Sequence, residues 1–160
     1  MCEGNKVQIY TLPMKELAEL IKLQLSEGGS AQLRVTGCSM LPMLREGRDA
    51  VTLVPIVGHL EKGNVILYQR KNGQYILHRI IRAEGGNYIC CGDNQFEKEL
   101  VEHSQAVAVV SAFTHKDRHH ACTDWGYRLY TAIWVGLFPL RKFYILMRRK
   151  LGRLRRKMQG

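Results

Sequence analysis

Two features are missing from this chain of 160 residues: an apolar run long enough to cross a bilayer, and acidic side chains near its C-terminus. The uncharged run from Leu129 to Leu140 has twelve residues, whereas a spanning helix needs about 20. The last twenty residues hold nine basic side chains and no acid, while the first 140 carry fifteen basic groups and fourteen acids. The body is therefore nearly neutral, and attraction to an anionic partner is predicted for the tail alone.

Paired cysteine spacings are missing as well. The five cysteines form an odd set, and no apolar stretch near the N-terminus resembles a signal peptide, so reduced thiols are expected. A second group of potential ligands lacks the paired spacing of a structural zinc site and is typical of a polar loop. This group comprises His115, His119, His120 and Cys122. Neither a metal nor a cofactor is expected.

Apolar residues, in contrast, make up 46% of the chain, which is enough for one domain with a real core. Residues 12–27 have apolar side chains at three- and four-residue steps and precede two glycines, so they predict an amphipathic helix. Short β-prone runs divided by turns follow at 31–35, 50–54, 64–70, 75–82, 87–91 and 106–113. We expect a mainly β, α+β fold with a compact antiparallel sheet or partial barrel.

A tight turn is predicted between two of these runs. Lys71-Asn72-Gly73-Gln74 separates them, and Asn-Gly tolerates the positive φ angles that two-residue hairpin turns require. The second strand of this hairpin would carry His78.

The C-terminal region, residues 125–160, joins aromatic and aliphatic side chains to the basic tail. This composition is typical of a helix in the membrane interface whose basic end meets anionic headgroups. The alternative is a core helix followed by a solvated tail. The residues predicted to contact the membrane are Trp134, Phe138, Arg141, Lys142, Arg148 and Arg149.

The predicted organisation has four parts. Residues 1–30 form a helical segment and residues 31–115 a β domain. Residues 116–124 form a polar linker, and residues 125–160 form the amphipathic helix with its basic tail.

The residues that suggest chemistry are Ser39, within Thr36-Gly37-Cys38-Ser39-Met40-Leu41-Pro42, and His78, at the end of an apolar run. A serine hydroxyl becomes a useful nucleophile only when a base removes its proton. Histidine has an ordinary pKa of about 6.5, so it can accept that proton near neutral pH. The pair therefore indicates covalent peptide-bond chemistry and a serine peptidase.

The order of the surrounding motifs resembles the type I signal peptidase family. The resemblance covers residues 33 to about 112, and the family's fold, shared with LexA-type peptidases, is expected here. His78-Arg79 is similar to the branch that has histidine rather than lysine at this point, found in endoplasmic-reticulum, archaeal and sporulation-associated enzymes. The motifs are Gly37-x-Ser39-Met40-x-Pro42-x-Leu44, Glu46-Gly47, Gly63-Asn64-Val65-Ile66, Tyr75 to Ile81 and Gly92-Asp93-Asn94.

The resemblance implies that Ser39 is the nucleophile, that His78 is the general base, and that an acid after the sheet orients the histidine. The chain departs from the family pattern here, because the usual aspartate five or six residues beyond Asp93 is replaced by Lys98 and Glu99. Glu99 could orient the ring, or Asp93 could do so itself. A dyad without a third member is the remaining alternative, since that group orients and does not attack.

The predicted substrate site surrounds the serine. The backbone N–H of Ser39 is the first candidate donor to the oxyanion, and Thr36 is the second. Gly37 would let the substrate backbone approach, while Met40 and Pro42 would fix the turn and its apolar floor. The substrate, a precursor peptide or protein, would bind extended as an added strand.

Membrane contact through a C-terminal helix differs from the N-terminal anchor of ordinary signal peptidases. Because basic flanks stay on the cytoplasmic side, we expect the protein at the cytoplasmic face, where it would cleave a leader from a specific precursor. A tilted re-entrant helix would restore the extracytoplasmic orientation.

Two other functions compete with this prediction. A self-cleaving LexA-like regulator is disfavoured because one helix precedes the sheet and His78 stands where such proteins have lysine. The second is a catalytically inactive protein that uses its basic tail on lipid or nucleic acid. Clustered Arg and Lys attract both kinds of phosphate, but the aromatic run before the tail favours lipid, so no specific nucleic acid is expected.

Overall fold

The computed structural model describes residues 14–157, with side chains described for residues 15–147. Within this part of the chain, three helices accompany eight strands. The elements are α1 (Met14–Ser26), β1 (Ala31–Arg34), β2 (Ala50–Val54), β3 (Val65–Gln69), β4 (Tyr75–Glu84), β5 (Asn87–Cys91), β6 (Glu99–Glu102), a 3₁₀ turn (His103–Gln105), β7 (Ala106–His115), β8 (Arg118–Ala121), α2 (Trp125–Gly136) and α3 (Phe138–Lys157).

All strands belong to one antiparallel sheet that curls into a half-barrel. Seven strands follow the order β1-β2-β7-β3-β4-β5-β6, and β8 pairs with β7 beside this path. The long strand β7 makes this possible because β3 pairs with residues 106–109 and β8 with residues 112–115. The α+β fold with an antiparallel sheet or partial barrel, expected from the sequence, is confirmed.

The hairpin between β3 and β4 forms at the predicted turn. Gly73 has a φ of 85°, and Arg70 N–H donates to the Gln74 carbonyl at 2.8 Å. The resulting register pairs Ile66 with His78. The Asn-Gly turn thereby fixes which side chains of β3 lie beside the histidine.

Both faces of the sheet are covered. One apolar cluster includes Ile21 and Leu25 of α1 and Met40 of the loop after β1, while the other includes Ile66 and Ile80. Because side chains alternate along a strand, neighbouring residues of β4 enter different clusters. His78 therefore lies on the Ile80 face, and Arg79 lies on the opposite face.

Two strands were not predicted. β8 lies within residues 116–124, which were expected to be a polar linker, so that expectation is corrected. Its backbone pairs with β7 across a turn at Lys116 and Asp117, which have φ angles of 50° and 63°. The polar composition of β8 hid it, because the hydrogen bonds that define a strand come from the backbone. β6, Glu99–Glu102, is likewise acidic at both ends.

The C-terminal region forms two helices instead of the single predicted one. α2 ends at Gly136, Leu137 caps it, and α3 begins at Phe138. Pro139 lies in the first turn of α3, where its missing N–H costs no helical hydrogen bond. Neither described helix in this region has the length and apolarity that a membrane crossing requires. The predicted helical residues 12 and 13 and the side chains of Arg148 and Arg149 lie outside the described set.

Candidate active site

The loop that carries Ser39 joins β1 to β2 and is held against the end of β5. Gly37 enters the loop with a φ of 76°, a conformation that favours glycine. Asn94 fixes the following residues, since its N–H donates to the Ser39 carbonyl at 2.7 Å and its side-chain amide donates to the Cys38 carbonyl at 3.2 Å. Met40 is buried beneath the loop. Ser39 itself stays half-buried and accessible.

Gly92 brings the serine loop and the histidine ring to one place. A Cβ atom at Gly92 would lie 2.7 Å from the carbonyl oxygen of Ser39 and 3.0 Å from Nε2 of His78. Any side chain there would clash with both, so only glycine permits this approach. The two atoms are therefore no more than about 6 Å apart, because both lie within 3.0 Å of the same point.

The predicted catalytic residues thus meet at this edge of the sheet, but they do not touch through a direct hydrogen bond. Among the described residues, no hydrogen bond involves Ser39 Oγ or His78 Nε2, and Nδ1 is the ring nitrogen that has a partner. Catalytic hydrogen bonds are often longer in a free enzyme and tighten with substrate. The catalytic assignment of Ser39 and His78 accordingly stays a prediction.

The other ring nitrogen of His78 faces a series of hydrogen-bonded polar side chains. Nδ1 lies 3.2 Å from the hydroxyl of Tyr68 and 3.9 Å from the carboxylate of Glu99. The Tyr68 hydroxyl donates to Glu99 Oε2 at 3.0 Å. Arg70 Nε donates to the same oxygen at 2.7 Å, and a second Arg70 nitrogen bonds the other oxygen. Glu99 therefore reaches the ring mainly through the tyrosine.

Burial and charge set the protonation states of His78 and Glu99. Burial lowers the pKa of His78 to about 4, although the nearby Glu99 carboxylate opposes the shift. The hydrogen bond from Arg70 lowers the pKa of Glu99. At neutral pH the imidazole is consequently neutral and the carboxylate ionised.

Asp93, the other candidate for the orienting acid, has a different partner. It is fully buried and accepts two hydrogen bonds from the Arg79 guanidinium, at 2.9 and 2.8 Å. The Tyr130 hydroxyl donates to it at 3.2 Å. Its carboxylate is therefore committed to Arg79, and Glu99 is the acid that approaches Nδ1 of His78.

Arg79 ties this part of the sheet to α2. Its Nη1 donates to the Gly63 carbonyl at 2.8 Å and to the hydroxyls of Tyr127 and Thr131, each at 3.1 Å. The Arg79 side chain is fully buried. A buried guanidinium with this many acceptors holds the strand and the helix together.

The residues predicted to bind substrate line the rim of the serine loop. Thr36 and Gly37 are exposed, whereas Met40 is buried at 2% and forms the floor. No backbone acceptor within residues 14–157 receives the N–H of Ser39.

One residue predicted to contact the membrane has a different position. Arg141 is 3% exposed and donates to the Gly92 carbonyl at 3.0 Å, which corrects its expected place among the exposed basic side chains. Its guanidinium lies 5.2 Å from the centre of the Trp134 ring and 4.8 Å from that of Phe138. Both rings are half-buried. Lys142 is exposed beside these residues, with its amine 5.5 Å from the ring of Phe96.

Several large apolar side chains of α2, α3 and the residue between them remain exposed, and we refer to this set as the apolar helix face. Phe143 is 70% exposed and Leu140 65% exposed. The face comprises Leu129, Ile133, Leu137, Leu140, Phe143, Tyr144, Leu146 and Met147.

The histidines near β8 do not converge on a common point. His115 Nδ1 lies 3.2 Å from a carboxylate oxygen of Asp49, and His120 stacks on Phe113 with ring centres 5.3 Å apart. Within the described residues, no group of three His, Cys, Asp or Glu side chains is arranged to hold a metal ion.

No protein-family model matches the chain, and no curated protein is similar to it.

Sequence reasoning missed two residues of this site, Tyr68 and Arg70, and it included Gly92 only as part of a motif, without its role. Tyr68 could have been found from the hairpin, because a turn at residues 72 and 73 pairs Ile66 with His78 and places Tyr68 two residues along the same face. The role of Gly92 could have been found from its position after β5, since a glycine at a strand end often permits a close approach. No local signal connects Arg70 to Glu99, which are 29 residues apart.

Proposed function

We propose that this protein is a serine endopeptidase of the type I signal peptidase kind, in which Ser39 is the nucleophile and His78 the general base. The observation that supports the proposal is the close approach at Gly92, where the serine loop lies near Nε2 of His78, a nitrogen with no hydrogen-bond partner among the described residues. The curled antiparallel sheet is compatible with the signal peptidase and LexA type of fold.

The proposed reaction begins when Ser39 Oγ attacks the carbonyl carbon of a peptide bond and His78 Nε2 takes the hydroxyl proton. The negative charge that develops on the carbonyl oxygen is met by the N–H of Ser39, with the Thr36 hydroxyl as a second donor. The C–N bond then breaks, and His78 returns the proton to the leaving amine. A water, deprotonated by the same nitrogen, hydrolyses the acyl-enzyme and regenerates Ser39.

Labelling with a fluorophosphonate probe, together with cleavage of a proteome-derived peptide library read by mass spectrometry, tests this assignment. We expect the unaltered protein to react at Ser39, and Ser39→Ala to lose at least about 10⁴-fold in cleavage rate, because the covalent route disappears. His78→Ala should lose a similar amount.

Ser104→Ala serves as the control, since this exposed serine lies in the 3₁₀ turn away from the Ser39 loop. It should retain full cleavage and labelling. Cleavage that survives Ser39→Ala or His78→Ala would refute the catalytic assignment, and would leave an inactive binding protein as the better interpretation.

We further propose that the substrate is a precursor peptide or protein met at an anionic membrane surface, on its cytoplasmic face. The apolar helix face supports this placement, since exposed apolar patches of this kind mark interaction surfaces. The nine basic residues of the last twenty supply the complementary charge for anionic headgroups. Apolar side chains beside a basic segment fit the boundary between headgroups and acyl chains.

Flotation with phosphatidylcholine vesicles, with and without phosphatidylglycerol, tests the membrane proposal. The double variant Leu140→Gln, Phe143→Gln should bind the anionic vesicles about 10- to 100-fold more weakly, because each exposed side chain loses its apolar contact. High salt should weaken binding by the full-length protein by screening its basic residues.

The matched control is Leu20→Gln, Leu23→Gln, which removes two exposed leucines of α1. These positions are 53% and 60% exposed, so the control changes surface hydrophobicity by a comparable amount at another place. Equal binding by the two double variants would contradict the membrane role of the apolar helix face.

A further inference from the structure

We propose that Tyr68 is a positioning residue for His78: its hydroxyl connects the ring to Glu99 and keeps the imidazole proton on Nδ1, so that Nε2 presents its lone pair to the serine loop. The functional part of this inference rests on the proposed peptidase activity. The position of the proton does not, and it is measurable without any substrate.

The assignment follows from counting donors and acceptors. An ionised carboxylate only accepts hydrogen bonds, and a tyrosine hydroxyl has a single proton to donate. Since Arg70 keeps Glu99 ionised, the Tyr68 proton goes to Glu99 Oε2, 3.0 Å away. The contact of 3.2 Å between the Tyr68 oxygen and His78 Nδ1 then requires that Nδ1 carry the proton.

The opposite arrangement is unfavourable. If Tyr68 donated to an unprotonated Nδ1, its oxygen would face the Glu99 carboxylate at 3.0 Å without a proton between them. Two acceptors would then be in contact, and the buried Tyr68 oxygen would face a negative charge without a hydrogen bond between them. Burial also raises the pKa of the Tyr68 hydroxyl, with the Glu99 charge adding to the shift, so this proton is retained at all ordinary pH values.

Packing holds the tyrosine in this position. Tyr68 is 1% exposed and belongs to the cluster that covers the Ile80 face of the sheet. Strands β3 and β4 set it diagonally from His78, with the two ring centres 6.1 Å apart. The hydroxyl therefore has little freedom to choose other partners.

The arrangement suits the proposed reaction. When Nε2 takes the proton of Ser39, the ring becomes an imidazolium whose Nδ1–H bond to Tyr68 is unchanged. The Tyr68 hydroxyl keeps its proton and continues to donate it to Glu99 in a hydrogen bond. No second proton is transferred. The Glu99 carboxylate, 3.9 Å from Nδ1, stabilises the new positive charge. Tyr68 and Glu99 together thus orient the ring and stabilise its positive charge, as an aspartate does alone in a catalytic triad.

The protein contains its own comparison in Tyr88, whose hydroxyl lies 2.7 Å from Nδ1 of His103. This second tyrosine and histidine pair has a similar ring geometry, with centres 5.9 Å apart. Tyr88→Phe therefore removes the same group from the same kind of contact without touching His78.

The test is NMR of the full chain labelled with ¹⁵N-histidine at pH 7, in which the ring nitrogens report directly which one is protonated. In the unaltered protein we expect His78 to carry its proton on Nδ1. In Tyr68→Phe, Nδ1 loses its acceptor, so the proton should shift towards Nε2, the nitrogen that an unconstrained imidazole prefers to protonate. Tyr88→Phe should leave the His78 signals unchanged.

The kinetic counterpart uses the probe and peptide assays above. Tyr68→Phe should lower kcat about tenfold or more, because only the fraction of molecules with a free Nε2 lone pair can react, while KM stays within about twofold. Glu99→Gln should lower kcat less, since the glutamine oxygen can still accept from Tyr68. Glu102→Gln, on the same strand but paired with Lys71, should have no effect.

The outcomes separate the two proposals. A proton on Nε2 in the unaltered protein, or an unchanged Nδ1–H signal in Tyr68→Phe, overturns the role of Tyr68 whatever the activity. An Nδ1 proton in a protein that cleaves nothing supports the positioning and refutes the peptidase instead. If Tyr68→Phe does not fold, the spectrum of the unaltered protein and the kinetics of Glu99→Gln still decide the question.

Discussion

Consecutive residues of β4 face two very different polar regions. On one face, Arg79 and Asp93 form a fully buried ion pair whose groups are bonded to each other and to α2. On the other face, Tyr68 connects Nδ1 of His78 to Glu99, which is 27% exposed. The Nε2 atom of His78 has no hydrogen-bond partner among the described residues. The polar groups of the Arg79 region bond to one another, whereas the His78 region leaves the lone pair of Nε2 without a partner among the described residues.

The difference separates stability from chemistry. A closed network of charges inside a protein specifies and holds a structure but has nothing left to offer a substrate. A catalytic group, in contrast, needs one atom held by a hydrogen bond and another atom free to react with the substrate. Asp93 and Glu99, which the sequence offered as equivalent candidates for the orienting acid, fall on opposite sides of this division.

The comparison is tested most strongly by neutralising each acid in turn. Asp93→Asn should lower the free energy of unfolding by about 3–5 kcal/mol, because it leaves the buried Arg79 charge without its counter-ion. Glu99→Gln should cost only about 1 kcal/mol, since its partner Arg70 is 35% exposed and can turn to water. Urea unfolding followed by circular dichroism measures both.

Activity should show the reverse pattern among molecules that remain folded. Below the unfolding transition, Asp93→Asn should retain more of its kcat than Tyr68→Phe does. If the two acid variants lose similar amounts of stability, the division between a closed and an open face is wrong.

Gly92→Ala tests the point at which the two regions meet. The added methyl would clash with the Ser39 carbonyl and with His78 Nε2, so we expect kcat to fall about 100-fold, as displacements near 1 Å can cause. Overpacking of this kind should also destabilise the fold by about 1–3 kcal/mol. Peptide cleavage and urea unfolding give the two values.

Gly126→Ala is the control for this change. Gly126 lies in α2 and has no atom within 4 Å of the position that a Cβ would occupy. Alanine there should be neutral or should stabilise the helix by about 0.5–1 kcal/mol. Unchanged cleavage by Gly92→Ala would mean that Ser39 and His78 do not act together.

Local patterns in the sequence were sufficient for much of the fold. The Asn72-Gly73 turn and the β-prone runs predicted six of the eight strands of the described chain. They also placed His78 on the second strand of a hairpin. β8 was missed because Arg118 to Ala121 shows no apolar alternation. Its place in the sheet depends on backbone pairing with residues 112–115 of β7, beyond the part of β7 that pairs with β3.

The site was predictable only in part, because its polar partners come from distant segments. Arg141 shows this clearly. In the sequence it begins a basic run and suggests exposure, but in the structure the Gly92 carbonyl and the rings of Trp134 and Phe138 provide a buried place for it. No count of charges reveals an acceptor 49 residues away. The same reason hid the contact between Arg70 and Glu99.

The smallest expected effect concerns the pH dependence of stability. His78 is 3% exposed, and burial lowers its pKa to about 4 in the folded protein, whereas the unfolded chain should titrate near the ordinary value of about 6.5. Between these values the unfolded state binds the proton and the folded state does not. Acidification through this window therefore favours unfolding, with a slope that approaches about 1.4 kcal/mol per pH unit.

His78→Gln removes this contribution while keeping a side chain that can still donate to Tyr68. Unfolding free energies measured from pH 6.5 to pH 5 should consequently fall less steeply in the variant, by about 1–2 kcal/mol over the interval. His59→Gln, which removes an exposed histidine, is the control and should retain the slope of the unaltered protein. Equal slopes for all three proteins would mean that His78 already binds its proton in the folded state near pH 6. The pKa of the ring would then be near its ordinary value, and burial would not be what keeps the imidazole neutral.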